Sequence, residues 1–162
     1  MRHVISCPPT IEVSAFAAKL AQGRPVIADR ARELCRRYGY QTLYEIPADL
    51  QKRLRLELIR AHADNLRIDE NAICDHSVFA SLADWMRWLW PATPAEEWES
   101  VLIAAQPAVD RSDAIHHVVE GPRSQYDGYR WLDLGNARQV DRLMRNLYRD
   151  FGVERRVKEI SL

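Results

Sequence analysis

The chain has 162 residues, 47% hydrophobic and 28% charged, with six glycines against eight prolines, a composition that excludes a disordered or fibrous chain and fits one ordinary folded domain. A chain of this size removes roughly 70% of its unfolded surface from water, so its core needs no covalent staples. Its 23 basic and 23 acidic side chains cancel, which excludes a global field drawing it to nucleic acid or an anionic membrane and leaves only local patches for such contacts.

Three cysteines, Cys7, Cys35 and Cys74, are odd in number and far apart, unlike a disulfide framework or a paired zinc-ligand set, so reduced thiols are expected. The start, MRHVISCPP, reaches proline before any apolar run of signal-peptide length. No segment approaches the roughly 18 apolar residues of a membrane span, and the expectation is a cytoplasmic protein without membrane contact.

In chain order, Val4, Ile5 and Cys7 form a short strand candidate closed by Pro8 and Pro9, which cannot continue a ladder. From Ser14, apolar Phe16, Ala17, Leu20 and Ala21 recur at helical spacing until Gly23 supplies a stop. Val26 to Ala28 reads as a second strand, followed by Asp29 and a helix from Arg30 to Tyr38 ending at Gly39. Pro47 opens a long third helix with Leu50, Leu54, Leu58 and Ile59 facing the core and Lys52, Arg53, Arg55 and Glu57 facing water.

Ala72 to Cys74 gives a weak third strand ending at Asp75, and a helix runs from Ser77 to Trp90 with Phe79, Leu82, Trp85 and Leu89 on one face, stopped by Pro91 and Pro94. Glu96 to Ala105 is expected to be helical, and Ile115 to Val119 a fourth strand. The polar, glycine-containing stretch from Glu120 to Gly135 reads as a mobile loop, Ala137 to Phe151 as the last helix, and Val157 to Ile160 as a fifth, edge-like strand. Short strands separated by helices predict an α/β fold, a five-stranded mostly parallel sheet with helices on both faces. The whole chain, 1–162, forms one domain with a small lid at about 120–136.

Chemistry in an open parallel sheet gathers at the carboxyl ends of the strands. There the sequence places the loop Cys7-Pro8-Pro9-Thr10-Ile11-Glu12-Val13-Ser14 before the helix SAFAAKLA, then Asp29-Arg30, Asp75-His76-Ser77 and Asp127-Gly128-Tyr129-Arg130. In order and spacing these resemble the small P-loop kinases and AAA-type ATP-binding proteins, particularly nucleoside-kinase-like and nicotinamide-riboside-kinase-like members, across nearly the whole chain. The resemblance implies a three-layer P-loop NTPase fold, ATP and magnesium as the family's cofactors, and Asp-Arg-Ser and Asp-Gly-x-Arg patterns at the third strand and the lid.

The phosphate loop departs from that pattern. A working loop reads G-x-x-x-x-G-K-[ST], with glycines that let backbone N–H groups close on phosphate oxygens and a lysine that neutralises them. Here Cys7 and Glu12 stand at the glycines and Val13 at the lysine, while Ser14 remains as a magnesium ligand. Glu12 would repel a triphosphate where an ammonium should attract it. Lys19 and the lid arginines are the nearest substitutes.

Under the resemblance, Asp75 is the carboxylate that binds magnesium or activates the acceptor hydroxyl; read alone, it caps the helix near Ser77. His76 replaces the family's arginine and puts acceptor-phosphate binding in doubt. Asp29 and Arg30 either recognise the acceptor or simply start a helix. Thr10 and Ser14, with Arg123 and Arg130, would hold the nucleotide, and Asp127 the substrate side of the lid; without a phosphate, the lid residues are surface charges.

Arg138, Arg142, Arg145 and Arg149 form a stripe that is either an anion or acidic-partner surface or a solvated face. It lacks an interleaved aromatic platform, and nucleic-acid binding is not expected. The tryptophans from Trp85 to Trp98 mark either a buried face or a surface for a protein partner or self-association. His116 and His117 point to opposite faces of a strand and are rejected as a metal pair. The expected function is a degenerate, catalytically impaired kinase-like module with a regulatory or interaction role. The alternative is an active ATP-dependent small-molecule or nucleoside kinase with a divergent loop, and a third possibility is a different anion, or a nucleotide in an altered pose, at the loop.

Overall fold

The computed structural model describes residues 1–41, 45–125 and 133–162. Strands β1 (His3–Ser6), β2 (Val26–Ile27), β3 (Ile73–Cys74), β4 (Ala114–Glu120) and β5 (Val157–Ser161) form one sheet in the order β2-β3-β1-β4-β5. Every pairing is parallel: His3 and Val4 lie beside Ile73 and Cys74, and His3 to Ser6 run beside Ala114 to His117. The sheet is therefore wholly parallel.

Helices α1 (Ser14–Ala21), α2 (Ala31–Arg37), α3 (Ala48–Ile68), α4 (Val78–Trp88), α5 (Ala95–Arg111) and α6 (Leu134–Asp150) connect the strands. Strand alternation sorts the side chains into two layers. Ile5, Ile73 and Val118 pack with Ala17 and Ala21 of α1, whereas Val4, Cys74 and Ile115 pack with Ile59, Phe79, Trp85, Val109 and Met144 from α3 to α6. The Phe79 ring meets Tyr148 and Phe151 edge-on at 5.0 and 6.0 Å, geometry that adds to its area burial. A third cluster joins α2 to Leu54 and Leu58 of α3.

Two expectations need correction. Helix α5 continues to Arg111, past Ala105, because Ala108 and Val109 extend its buried face while Pro107 lies on the exposed side. Helix α6 begins at Leu134, three residues ahead of Ala137, with Asp133 accepting from Gly135 N. Where the loop after β4 is described, Arg123 pairs with Ile11 in an isolated antiparallel bridge, Glu12 N donates to Pro122 O, and Ser124 N donates to Thr10 O. No described helix is long and apolar enough to cross a membrane.

Candidate functional site

From β1 the chain moves outward to β2, returns through β3, and then crosses to β4 on the other side of β1. Connections diverging from neighbouring strands open a crevice at their carboxyl ends. A cavity of about 130 Å³ lies there. Its walls are Glu12, Val13 and Ser14 from the loop after β1, Asp29 after β2, Asp75 and His76 after β3, and side chains of α3, α4 and α6.

The loop after β1 holds its own helix start. Val13 occupies the N-cap position without a side-chain cap, and its side chain is buried and brings no positive charge to the cleft wall it lines. The Glu12 carboxylate fills the missing cap: its Oε1 accepts from Ser14 N at 2.8 Å and from Ser14 Oγ at 2.5 Å. The amides of Ile11 and Glu12 donate to Pro8 O and Pro122 O, and Pro8 and Pro9 have no amide hydrogen. These donors, which a bound phosphate would use, have internal acceptors.

Asp75 does not cap α4. Ser77 does, its Oγ accepting from Ala80 N at 3.2 Å and lying 2.5 Å from Ser6 Oγ. Asp75 instead accepts from Asp29 N at 2.8 Å, and Asp29 accepts from Ala31 N at 3.1 Å. The strand ends of β2 and β3 are thus tied together through two carboxylates facing one hollow.

Arg55 is the main error in the sequence reading. It is 5% exposed and faces the cleft instead of water, its Nε 2.8 Å from Asp84 Oδ2 and its Nη1 3.1 Å from Gln51 Oε1. A buried guanidinium requires such partners. The residues that sequence reasoning missed are Arg55, Ser81, Asp84, Trp88 and Asn136 on the cleft wall, with His62 behind it. One signal was present: Arg55, Leu58, Ile59 and His62 share the spacing of a single helix face.

His62 Nε2 lies 2.8 Å from Ser81 Oγ, and its ring stacks on His76 at 5.6 Å. Burial, assisted by His76, pushes the His62 pKa down to about 3, leaving a neutral imidazole. Ser81 sits within α4, where neighbouring amides are consumed by the helix and none is left to hold an oxyanion. The Ser81–His62 pair therefore fastens α3 to α4.

The expected site residues divide between two hollows. Ser14, Asp29, Asp75 and His76 meet in the cleft. Thr10 and Arg123 line a more open groove of about 660 Å³ on the other side of the loop, with Arg138, Arg142 and Arg145. Arg30 lines neither hollow, and Asp127 and Arg130 lie outside the described residues. Within the arginine stripe, Arg145 pairs with Asp141 and Glu159, and Arg149 with Asn146.

His116 and His117 do face opposite ways. His116 contacts the His3 and Phe16 rings, whereas His117 bonds Tyr148 and Asp141. Among the described residues no group of three or more His, Cys, Asp or Glu side chains is arranged to hold a metal. The three thiols are buried, and burial pushes that of Cys74 up to about 12. Trp85 is buried with Nε1 donating to Thr93 Oγ1, while Trp88 and Trp90 are 37% and 47% exposed.

The class defined by this fold is an α/β protein with a five-stranded parallel sheet and a cleft at the strand ends. No family model matches the chain, and neither the curated proteins nor the solved structures provide a match.

Proposed function

We propose that this chain is a P-loop-kinase-like protein that has lost phosphoryl transfer and serves as a regulatory or interaction module with a ligand-accepting cleft. The observation that carries the reading is the Glu12 carboxylate bonded to the amide and hydroxyl of Ser14. It takes the place at the start of α1 that a phosphate oxygen would occupy, and supplies internally the negative charge that a helix N-terminus favours. Asp29, Asp75 and Asp84 around the same cavity add repulsion for a triphosphate, and among the described residues Arg55 is the one guanidinium on that wall and is already paired with Asp84. The residues present do not fit ATP and magnesium, since phosphoryl transfer depends on positioned positive charge. The exposed rings of Trp88 and Trp90 suit the interaction role.

Calorimetric titration with ATP and ADP, with and without magnesium, tests this reading. We expect no binding below about 1 mM, and a gain of at least about tenfold in affinity when Glu12→Gly and Val13→Lys are combined, because a carboxylate is removed and an ammonium added. Micromolar ATP affinity in the unaltered chain would sink the proposal. A second reading, an active small-molecule kinase, is favoured by the meeting of Ser14, Asp29 and Asp75 in one cleft. It requires turnover in a nucleoside and small-molecule phosphorylation screen, and loss of that turnover in Asp75→Asn.

A further inference from the structure

We infer that the groove between the loop after β1 and helix α6 is a docking site for an acidic segment of another protein, one that lies extended with carboxylates at alternate residues and an apolar side chain beside them. This rests on the interaction role proposed above and gives it a surface and a partner chemistry.

The sequence leaves the arginines of α6 divided between a solvated face and a partner surface, and the structure separates them. Arg145 is held by Asp141 and Glu159, and Arg149, outside the groove, by Asn146. Arg138 and Arg142 are exposed and line the groove, where Arg123 joins them from the loop after β4. Among the described residues none of these three guanidinium groups has a hydrogen bond or an ion pair. Two separate segments thus bring three uncommitted cations to one groove, which a solvated helix face does not require.

Little negative charge opposes them. Asp141 spends one oxygen on His117, at 2.8 Å, and the other on Arg145, at 3.0 Å. Glu120 is the one other carboxylate among the described lining residues. The groove is therefore positive on a chain whose charges sum to zero.

The geometry of the groove selects the class of anion. Arg138 and Arg142 stand four residues apart, about 6 Å along the α6 axis, and alternate residues of an extended chain are about 6–7 Å apart. Carboxylates at every second residue meet both arginines in step, whereas one small anion meets them singly. The volume, about 660 Å³, has room for several side chains. Ile11, Val119 and Ala137 line the same groove with Leu134, which is 51% exposed. They offer an apolar contact that adds to ion pairs of small individual worth. No described lining residue is aromatic, so nucleic-acid bases have nothing to stack on. The apolar face of α6, with Val140, Met144 and Leu147, is spent on the core and is not free to enter a bilayer.

The test uses three nonapeptides: one with glutamate at every second residue and leucine at one intervening position, and counterparts with glutamine or lysine in place of glutamate. Each is titrated into the whole ¹⁵N-labelled chain at about 50 mM NaCl, where screening is weak. The glutamate peptide is expected to give saturable shifts at the amides of Gly121, Arg123, Ala137 and Arg142, with affinity at least about tenfold above the glutamine peptide, and the lysine peptide none. Arg138→Gln combined with Arg142→Gln should weaken it at least about tenfold, and Arg149→Gln should leave it unchanged; the same spectra report whether each variant is folded. Equal binding of the glutamine peptide, an equal loss in Arg149→Gln, or no saturable shift at roughly 1 mM glutamate peptide would each overturn the inference. So would equal or tighter binding of phenyl phosphate, oligothymidylate or phosphatidylserine vesicles at the same amides, or shifts there that grow with the concentration of the chain alone, the mark of a second copy. ATP is titrated into a separate sample. Saturable ATP shifts at Ser14 and Asp75 would remove the loss-of-transfer reading, whereas a silent glutamate peptide beside silent ATP removes the docking inference alone.

Discussion

His62 is 5% exposed and bonded to Ser81, and burial holds its pKa at about 3 against an ordinary 6.5. Burial likewise lowers His116 to about 4. In that window the unfolded chain takes up protons that the folded chain refuses, so stability is whole above the ordinary value and falls as pH drops. The slope is at most about 1.4 kcal/mol per pH unit for each imidazole, and the loss levels off below the folded values. Urea midpoints at pH 7, 6 and 5 should decline, and His62→Leu should flatten the decline; identical slopes would contradict this assignment. Arg55 makes a second residue-scale prediction. Asp84→Ala leaves a buried guanidinium without its carboxylate, whereas Arg55→Met removes the charge and keeps the volume. Because Asp84 is itself 35% exposed, the first change should cost about 1–3 kcal/mol and the second less, as read from denaturant unfolding.

At the scale of elements, apolar periodicity makes most helices legible: the stripe of Phe79, Leu82, Trp85 and Leu89 is buried as its spacing demands. Periodicity is silent about a charge placed on an apolar stripe, so Arg55 reads as solvent-facing until Asp84 of α4 is seen beside it. Helix α5 shows the same limit. Pro107 removes one helical hydrogen bond on the exposed side, where water can satisfy the Ile103 carbonyl, and packing of Ala108 and Val109 carries the helix onward. Pro107→Ala should restore that bond and raise stability by about 1–3 kcal/mol. A lower melting temperature would show that the helix is bent to fit its proline.

For the whole molecule, alternation of short strands and helices announces a parallel sheet, and the strand ends announce where to look for a site. Strand order is beyond such reading, because the pairing of β1 with both β3 and β4 joins segments far apart in sequence. The division of the expected site residues between two hollows was hidden for the same reason: bonds from Glu12 to Pro122 and from Ser124 to Thr10 decide which side of the loop each residue faces. That stitched loop is a partition with a negative chamber on one side and arginines on the other. Hydrogen exchange should find the amides of Glu12 and Ser124 slower than that of exposed Gln125; equal rates would mean that the partition opens freely. Because the loop held by these few backbone bonds forms a wall of both hollows, a change that breaks them alters the lining of both at once.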